Sequence, residues 1–162
     1  MFSLEPLGLD HEAAVLAFEV DNRSYFAKSI RDRGDSFFHE YPERHRELIA
    51  DHEAGVGAFY VLVDEQGSVV GRFNLYDLSE GTATVGYRVA ERVAGHGVAT
   101  SGLRELCRVA REEIGLRLLT AAAGDENVAS QRVLTKVGFV LIGPVEVGGR
   151  PGSEFVLDLA TL

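Results

Sequence analysis

The chain has 162 residues, 46% hydrophobic and 25% charged. That length fills one ordinary domain, which buries about 70% of its unfolded surface and needs no disulfide or metal to fold. With 16 Lys and Arg against 25 Asp and Glu, the net charge of −9 excludes unspecific binding to polyanions, so neither nucleic acid nor a membrane is an expected partner.

The elements follow in chain order. Met1–Pro6 has no basic stretch leading into a long apolar one, so no signal peptide is expected, and nowhere do about 18 apolar residues run together. Phe2–Leu7 is a short strand. Asp10 can cap a helix from His11 to Val20, with Ala13, Leu16, Ala17 and Val20 on one face. Asp21–Ser36 is polar and unpatterned, and Pro42–Ala54 is a charged helix ended by Gly55. Ala58–Val63, Val69–Tyr76 and Thr82–Val89 are strands joined by short turns, an antiparallel meander. Ala99, Leu103, Leu106, Ala110 and Ile114 then recur at helical spacing up to Gly115. Arg117–Ala123 is a buried strand and Asn127–Val137 a short helix ended by Gly138. Phe139–Ile142 and Glu154–Leu159 are two last strands across a Gly/Pro-rich loop, Gly143–Gly152. The order predicts a single α/β domain over 1–162, a mixed sheet of six to seven strands in which the meander feeds a right-handed crossover.

The most informative segment is Arg92-Val93-Ala94-Gly95-His96-Gly97-Val98, between a strand and an amphipathic helix. Two glycines at i and i+2 allow a tight turn that aims several N–H groups at one point, where a helix start adds partial positive charge. Such a place suits a diphosphate, although a plain turn with a glycine cap fits the fragment equally well. A P-loop is excluded because no Gly-Lys pair exists. A dinucleotide fingerprint is disfavoured, since Thr100 replaces its third glycine and antiparallel strands precede the loop.

Arg92-x-x-Gly95-x-Gly97 after a strand resembles the acetyl-CoA loop of the GNAT superfamily of N-acetyltransferases. Asn127-x-x-Ser130 followed by Gly138-Phe139 resembles its RimJ/RimL branch, which acetylates ribosomal-protein N-termini. The resemblance covers about the whole chain. It implies a GNAT fold with a V-shaped splay between the strands at 82–89 and 117–123, and acetyl-CoA as co-substrate bound by a core over 82–140. Backbone N–H groups of Val93, Ala94, Gly95, His96, Gly97 and Val98 would hold the pyrophosphate, with Arg92 flanking. Val85, Tyr87 and Val89 would lend backbone bonds to the pantetheine arm. Gly86 would mark a bulge or a close approach, or serve only packing. Asn127 would bond the pantetheine, cap its helix, or both.

The reaction needs an oxyanion donor, a proton for the leaving thiolate and a neutral amine. Many relatives place a tyrosine seven residues after the Asn; here that position is Leu134, so Ser130 is the expected catalytic hydroxyl. The usual strand glutamate is replaced by Thr84, leaving Glu146 and Glu154 as candidate bases. That absence favours an α-amine, of pKa about 7.7–8.0, over lysine at about 10.4.

His39, His45 and His52 lack metal-ligand spacing and are expected to face solvent or line an acceptor groove; no metal site is expected. Cys107, the only cysteine, lies mid-helix as a small hydrophobe and fits a reducing cytoplasm. The acceptor side should come from the helices at 10–55. The acceptor is a protein N-terminus or a small-molecule amine, and the chain a monomer or homodimer. The rival of another class is a non-catalytic acyl-CoA sensor.

Overall fold

Apolar runs become strands and 3.6-residue patterns become helices in a computed structural model that describes residues 1–162. The strands are β1 (Ser3–Pro6), β2 (Ala58–Val63), β3 (Val69–Ser79), β4 (Thr82–Val89), β5 (Leu118–Gly124), β6 (Val140–Val147) and β7 (Arg150–Asp158). The helices are α1 (Glu12–Asp21), α2 (Arg23–Phe26), α3 (Asp35–His39), α4 (Tyr41–Glu53), α5 (Val98–Val109, extended by a wider turn to Ile114) and α6 (Val128–Val137). All seven strands form one sheet in the order β1-β2-β3-β4-β5-β7-β6. The β4–β5 pair is parallel, bridged by α5, and every other pair is antiparallel. This is the expected α/β mixed sheet.

The sheet parts at its centre. β4 pairs β5 from Thr82–Leu118 to Val85–Ala121 and no further, although β4 runs on to Val89 and β5 to Gly124. Beyond that point each strand stays with its other neighbour, β4 with β3 through Val89 and β5 with β7 through Gly124. A V-shaped gap opens between Gly86–Val89 and Ala122–Gly124.

Period-two alternation divides the sheet's middle into two faces. Phe73, Leu75 and Val85 are buried on one face, and the Phe73 and Tyr87 rings stack there at 5.8 Å. α5 closes this side through Val98, Leu103, Leu106 and Cys107. Arg72, Asn74 and Tyr76 alternate onto the other face, opposite Arg88, Gly86 and Thr84 on β4. α1 and α2 cover that face.

Four expectations need correction. α1 buries Val15, Phe18 and Glu19, while Ala13, Ala17 and Val20 are exposed. Of the predicted stripe only Leu16 packs against the core, because Val15, Phe18 and a carboxylate with two buried partners take the inward side. His45 is fully buried, its ring nitrogens bonded to Tyr41 Oη at 2.9 Å and to the Gly8 carbonyl at 2.8 Å, so it does not face solvent. The expected loop Gly143–Gly152 is mostly strand, because β6 and β7 lengthen to meet at Gly148 and Gly149, both at positive φ. The unpatterned stretch Asp21–Ser36 contains α2 and the start of α3.

Candidate active site

The gap between β4 and β5 leaves backbone groups facing empty space. The Ala90 N–H donates to the Val70 carbonyl at 2.8 Å, and the β3–β4 register has no slip from Thr84 to Val89. In an antiparallel ladder the hydrogen-bonding residues alternate, so Arg88, Gly86 and Thr84 also turn N–H and C=O toward β3. Val85, Tyr87 and Val89 turn theirs the other way. Val85 meets β5, whereas Tyr87 and Val89 lie beyond the last β4–β5 pair and direct theirs into the gap. Gly86 carries no bulge: a Cβ there would lie 2.9 Å from the Tyr76 ring, so this glycine serves a close approach.

At the end of β4 the chain turns through Gly95 and Gly97, at φ of +78° and +77°, into the start of α5. A side chain at either would be strained, although no atom stands within 4 Å of the Cβ position. The six N–H groups from Gly95 to Thr100 have no acceptor in the protein; the first loop N–H into the helix ladder is that of Ser101, to Gly97 O at 3.0 Å. Six unpartnered donors at a helix start form an anion cradle, and five of these residues, all but His96, line a cleft of about 500 Å³. That cleft joins the cradle to the gap.

Opposite β4, the start of α6 reaches the same cleft. Asn127 Oδ1 caps α6 by accepting from the Ser130 N–H at 3.3 Å, and its amide nitrogen has no protein partner. Gln131 Nε2 ties the helix back to the Gly124 and Asp125 carbonyls at 3.0 and 3.1 Å. Ser130 Oγ lies 3.0 Å from Tyr87 Oη, a hydroxyl pair bridging the two walls. Burial pushes the Tyr87 phenol above its usual value, and the bond to Ser130 opposes this, so the pair stays protonated at neutral pH. The N–H groups of Val128 and Ala129 are free in the first turn, which favours negative charge beside Ser130.

The other end of the cleft is polar. Arg72 is buried and its guanidinium donates to Glu19 Oε2 at 2.8 Å. Arg88 donates to the same oxygen at 3.0 Å and lies 4.7 Å over the Phe26 ring. Burial pushes Arg88 down to about 10, with Glu19 opposing that shift. Arg33 projects from the segment after α2, lies 4.4 Å over the Phe37 ring, and has no carboxylate partner. Asn74 gives its amide N–H to Tyr76 Oη at 3.0 Å, while its Oδ1 is buried with no partner.

Eight of the twelve predicted cofactor residues line this cleft: Tyr87, Val89, Ala94, Gly95, Gly97, Val98, Asn127 and Ser130. Val85 is in the core and Val93 is buried. His96 is exposed and outside the cleft, although its N–H belongs to the cradle. The Arg92 guanidinium turns away to Asp64 at 3.0 Å. Glu146 and Glu154 do not line the cleft, and no carboxylate does; Arg33, Arg72, Arg88, Arg132 and Lys136 do. The sequence reading missed these five cations and Asn74. Arg72 and Asn74 had a signal, as polar residues two apart in an otherwise apolar strand.

A family model described as the acetyltransferase (GNAT) domain matches residues 2–140. The probable N-acetyltransferase YjcK of Bacillus subtilis is 28% identical over 148 residues, which cover 84% of this chain and 78% of that protein. Ribosomal-protein-S5-alanine acetyltransferase from Vibrio fischeri superposes with a TM-score of 0.90 at 18% identity, covering 97% of this chain and 92% of that one. Mycobacterium smegmatis RimJ, solved in complex with a CoA disulfide, superposes with a TM-score of 0.88 at 23% identity, covering 99% and 83%. At these identities the two structures share a fold with this chain.

Proposed function

The chain belongs to the GNAT family of acetyltransferases, and on that premise we propose that it carries an acetyl group from acetyl-CoA to the α-amine of a protein N-terminus by direct attack in a ternary complex. The observation that carries this reading is the single cleft joining an anion cradle, an open β4–β5 gap and the Tyr87–Ser130 hydroxyl pair. The N-terminal acceptor draws its support from the RimJ/RimL-like motifs and from the chemistry of the proton.

The residues present fit the donor. The N–H groups of Gly95 to Thr100 suit its diphosphate, and Arg132 and Lys136 supply countercharge from α6. Tyr87 and Val89 offer main-chain bonds to the pantetheine amides, and the free Asn127 amide can bond the same arm. The amine nitrogen attacks the thioester carbonyl carbon, and the C–O π electrons move to oxygen. The Val89 N–H, which points into the gap, would donate to that oxyanion. Collapse re-forms C=O and breaks the C–S bond, and Ser130 Oγ–H gives its proton to the thiolate. Tyr87 Oη, 3.0 Å away, can return a proton to Ser130.

No carboxylate at the cleft can remove the amine proton, and Glu19 is held by two arginines. The ammonium proton therefore leaves through water before attack, and the second nitrogen proton leaves the zwitterionic intermediate through water as well, which replaces through Tyr87 the proton that Ser130 gives to the thiolate. That route suits an α-amine, which has a substantial neutral fraction near pH 7. The cations of the acceptor half lower the amine's pKa further.

Direct transfer is tested by kinetics and by intact mass. Initial rates with varied acetyl-CoA and an N-terminal peptide should give intersecting lines, and acetyl-CoA alone should leave the protein's mass unchanged. Parallel lines with a covalent acetyl-protein would overturn the mechanism.

A further inference from the structure

The acceptor half of the cleft is charged in a way that acetyl transfer alone does not require. Arg33, Arg72 and Arg88 line it against one carboxylate, Glu19, which leaves an excess of two positive charges in a protein whose net charge is −9. These guanidiniums do not serve the donor's phosphates. Arg72 and Arg88 project from the face of the sheet covered by α1 and α2, whereas α5, with the cradle at its start, packs on the opposite face.

Both arginines pair with Glu19 through its Oε2, so one carboxylate charge is divided between two guanidiniums. Arg33 makes no ion pair, and its guanidinium lies over the Phe37 ring instead. Arg72 and Arg88 are largely buried, so their second positive charge is costly until an anion joins it, while Arg33 is exposed at the rim. Beside this cluster stands a second unfilled group: Asn74 is nine-tenths buried, and its Oδ1 accepts nothing from the protein. Asn74 lies directly across from Gly86, the first β4 residue of the open gap. An unpartnered acceptor at the gap and an unpaired cation at the rim therefore line the same cleft.

We propose that this half of the cleft selects amines bearing a carboxylate near the reactive nitrogen: Asn74 Oδ1 accepts an N–H of the amine, and Arg33, backed by Arg72 and Arg88, takes the carboxylate. Resting on the N-terminal reading above, this makes the preferred acceptor a peptide whose first or second side chain is Asp or Glu. A free amino acid presents the same carboxylate from its own α-carbon, and the test separates the two sources. Asn74 and Arg33 act here as specificity residues, and Arg72 and Arg88 as positioning residues.

The experiment uses two amidated peptides that differ only in Glu or Gln at the second residue, together with free glutamate. Each is titrated by calorimetry into the CoA-saturated protein and assayed with acetyl-CoA. The Glu peptide should have kcat/KM roughly ten- to a hundredfold above the Gln peptide, the scale of one charged hydrogen bond, with the difference mainly in KM. Arg33→Gln should collapse that ratio to near one and leave CoA affinity unchanged. Asn74→Ala, verified as folded by circular dichroism, should raise KM for both peptides alike and keep their ratio. Equal turnover of the two peptides, or a ratio that survives Arg33→Gln, overturns the subsite while leaving the N-terminal reading intact. Selective binding of the Glu peptide without turnover keeps the subsite and overturns that reading. Turnover of glutamate above both peptides moves the carboxylate to a small-molecule acceptor and overturns the peptide assignment. Absence of binding and turnover with all three overturns both.

Discussion

Two hydroxyls 3.0 Å apart, on strands and helices far apart in sequence, carry the proposed proton transfer. Ser130→Ala should lower kcat by roughly one to three orders of magnitude, the scale of a lost general acid. Its affinity for acetyl-CoA should hardly change, because the cradle from Gly95 to Thr100 is untouched. Tyr87→Phe keeps the ring stacked on Phe73 at the same place and removes only the second hydroxyl. It should cost less than Ser130→Ala if serine is the direct donor; the reverse order, in single-turnover measurements, would give the role to Tyr87. Gly97→Asp combines a strained backbone at φ +77° with a carboxylate at the cradle, so calorimetry should find CoA binding nearly abolished in a folded protein. Ser130 and Asn127 were legible because a fixed spacing marks them. Tyr87 was legible as a residue of the cofactor strand and an alternative donor, but not its pairing with Ser130, since that partner lies 43 residues away and no local pattern encodes it.

Among the elements, α1 teaches most. Its sequence offers an apolar stripe through Ala13, Leu16, Ala17 and Val20, yet the helix turns Glu19 inward onto Arg72 and Arg88. Periodicity counts a carboxylate as solvent-facing, and nothing local announces two arginines 53 and 69 residues downstream. β3 carries the same layer: its Arg72 and Asn74 lie on the face that α1 and α2 cover, and nothing in the strand itself announces that cover. By contrast α5 and α6 were read correctly, because their apolar residues alone decide which way they face. Glu19→Gln would leave Arg72, only 5% exposed, without its charge partner. Chemical denaturation should show a loss of about 3–5 kcal/mol, and a loss below about 1 kcal/mol would mean water already solvates that cluster. In α5 the Cys107 thiol is fully buried and pushed up to about 12 by burial. Thiol reagents at pH 8 should therefore label the unfolded chain and not the native one; rapid native labelling with loss of activity would show an accessible thiol.

For the whole molecule, the order of strands and helices was legible because each apolar run is bounded by a turn signal. The widening of β6 and β7 was not, since Gly and Pro within a strand read as loop until a neighbouring strand pairs them. β6 closes one edge of the sheet and exposes Val140, Leu141 and Ile142. Light scattering should give the mass of a monomer or a homodimer, and a larger closed ring would contradict that expectation. Charge is distributed unevenly: an acidic molecule lines the candidate cleft with five cations and no carboxylate. Acceptor binding should accordingly weaken as salt rises. The most direct test of the whole account uses one peptide carrying both a free N-terminus and an internal lysine, incubated with acetyl-CoA near neutral pH. Fragmentation mass spectrometry then locates the acetyl group. The structure and its proton chemistry predict acetylation at the α-nitrogen alone, with one thiol released per acetyl transferred. Acetylation of the lysine side chain, or release of thiol with neither nitrogen modified, would contradict it.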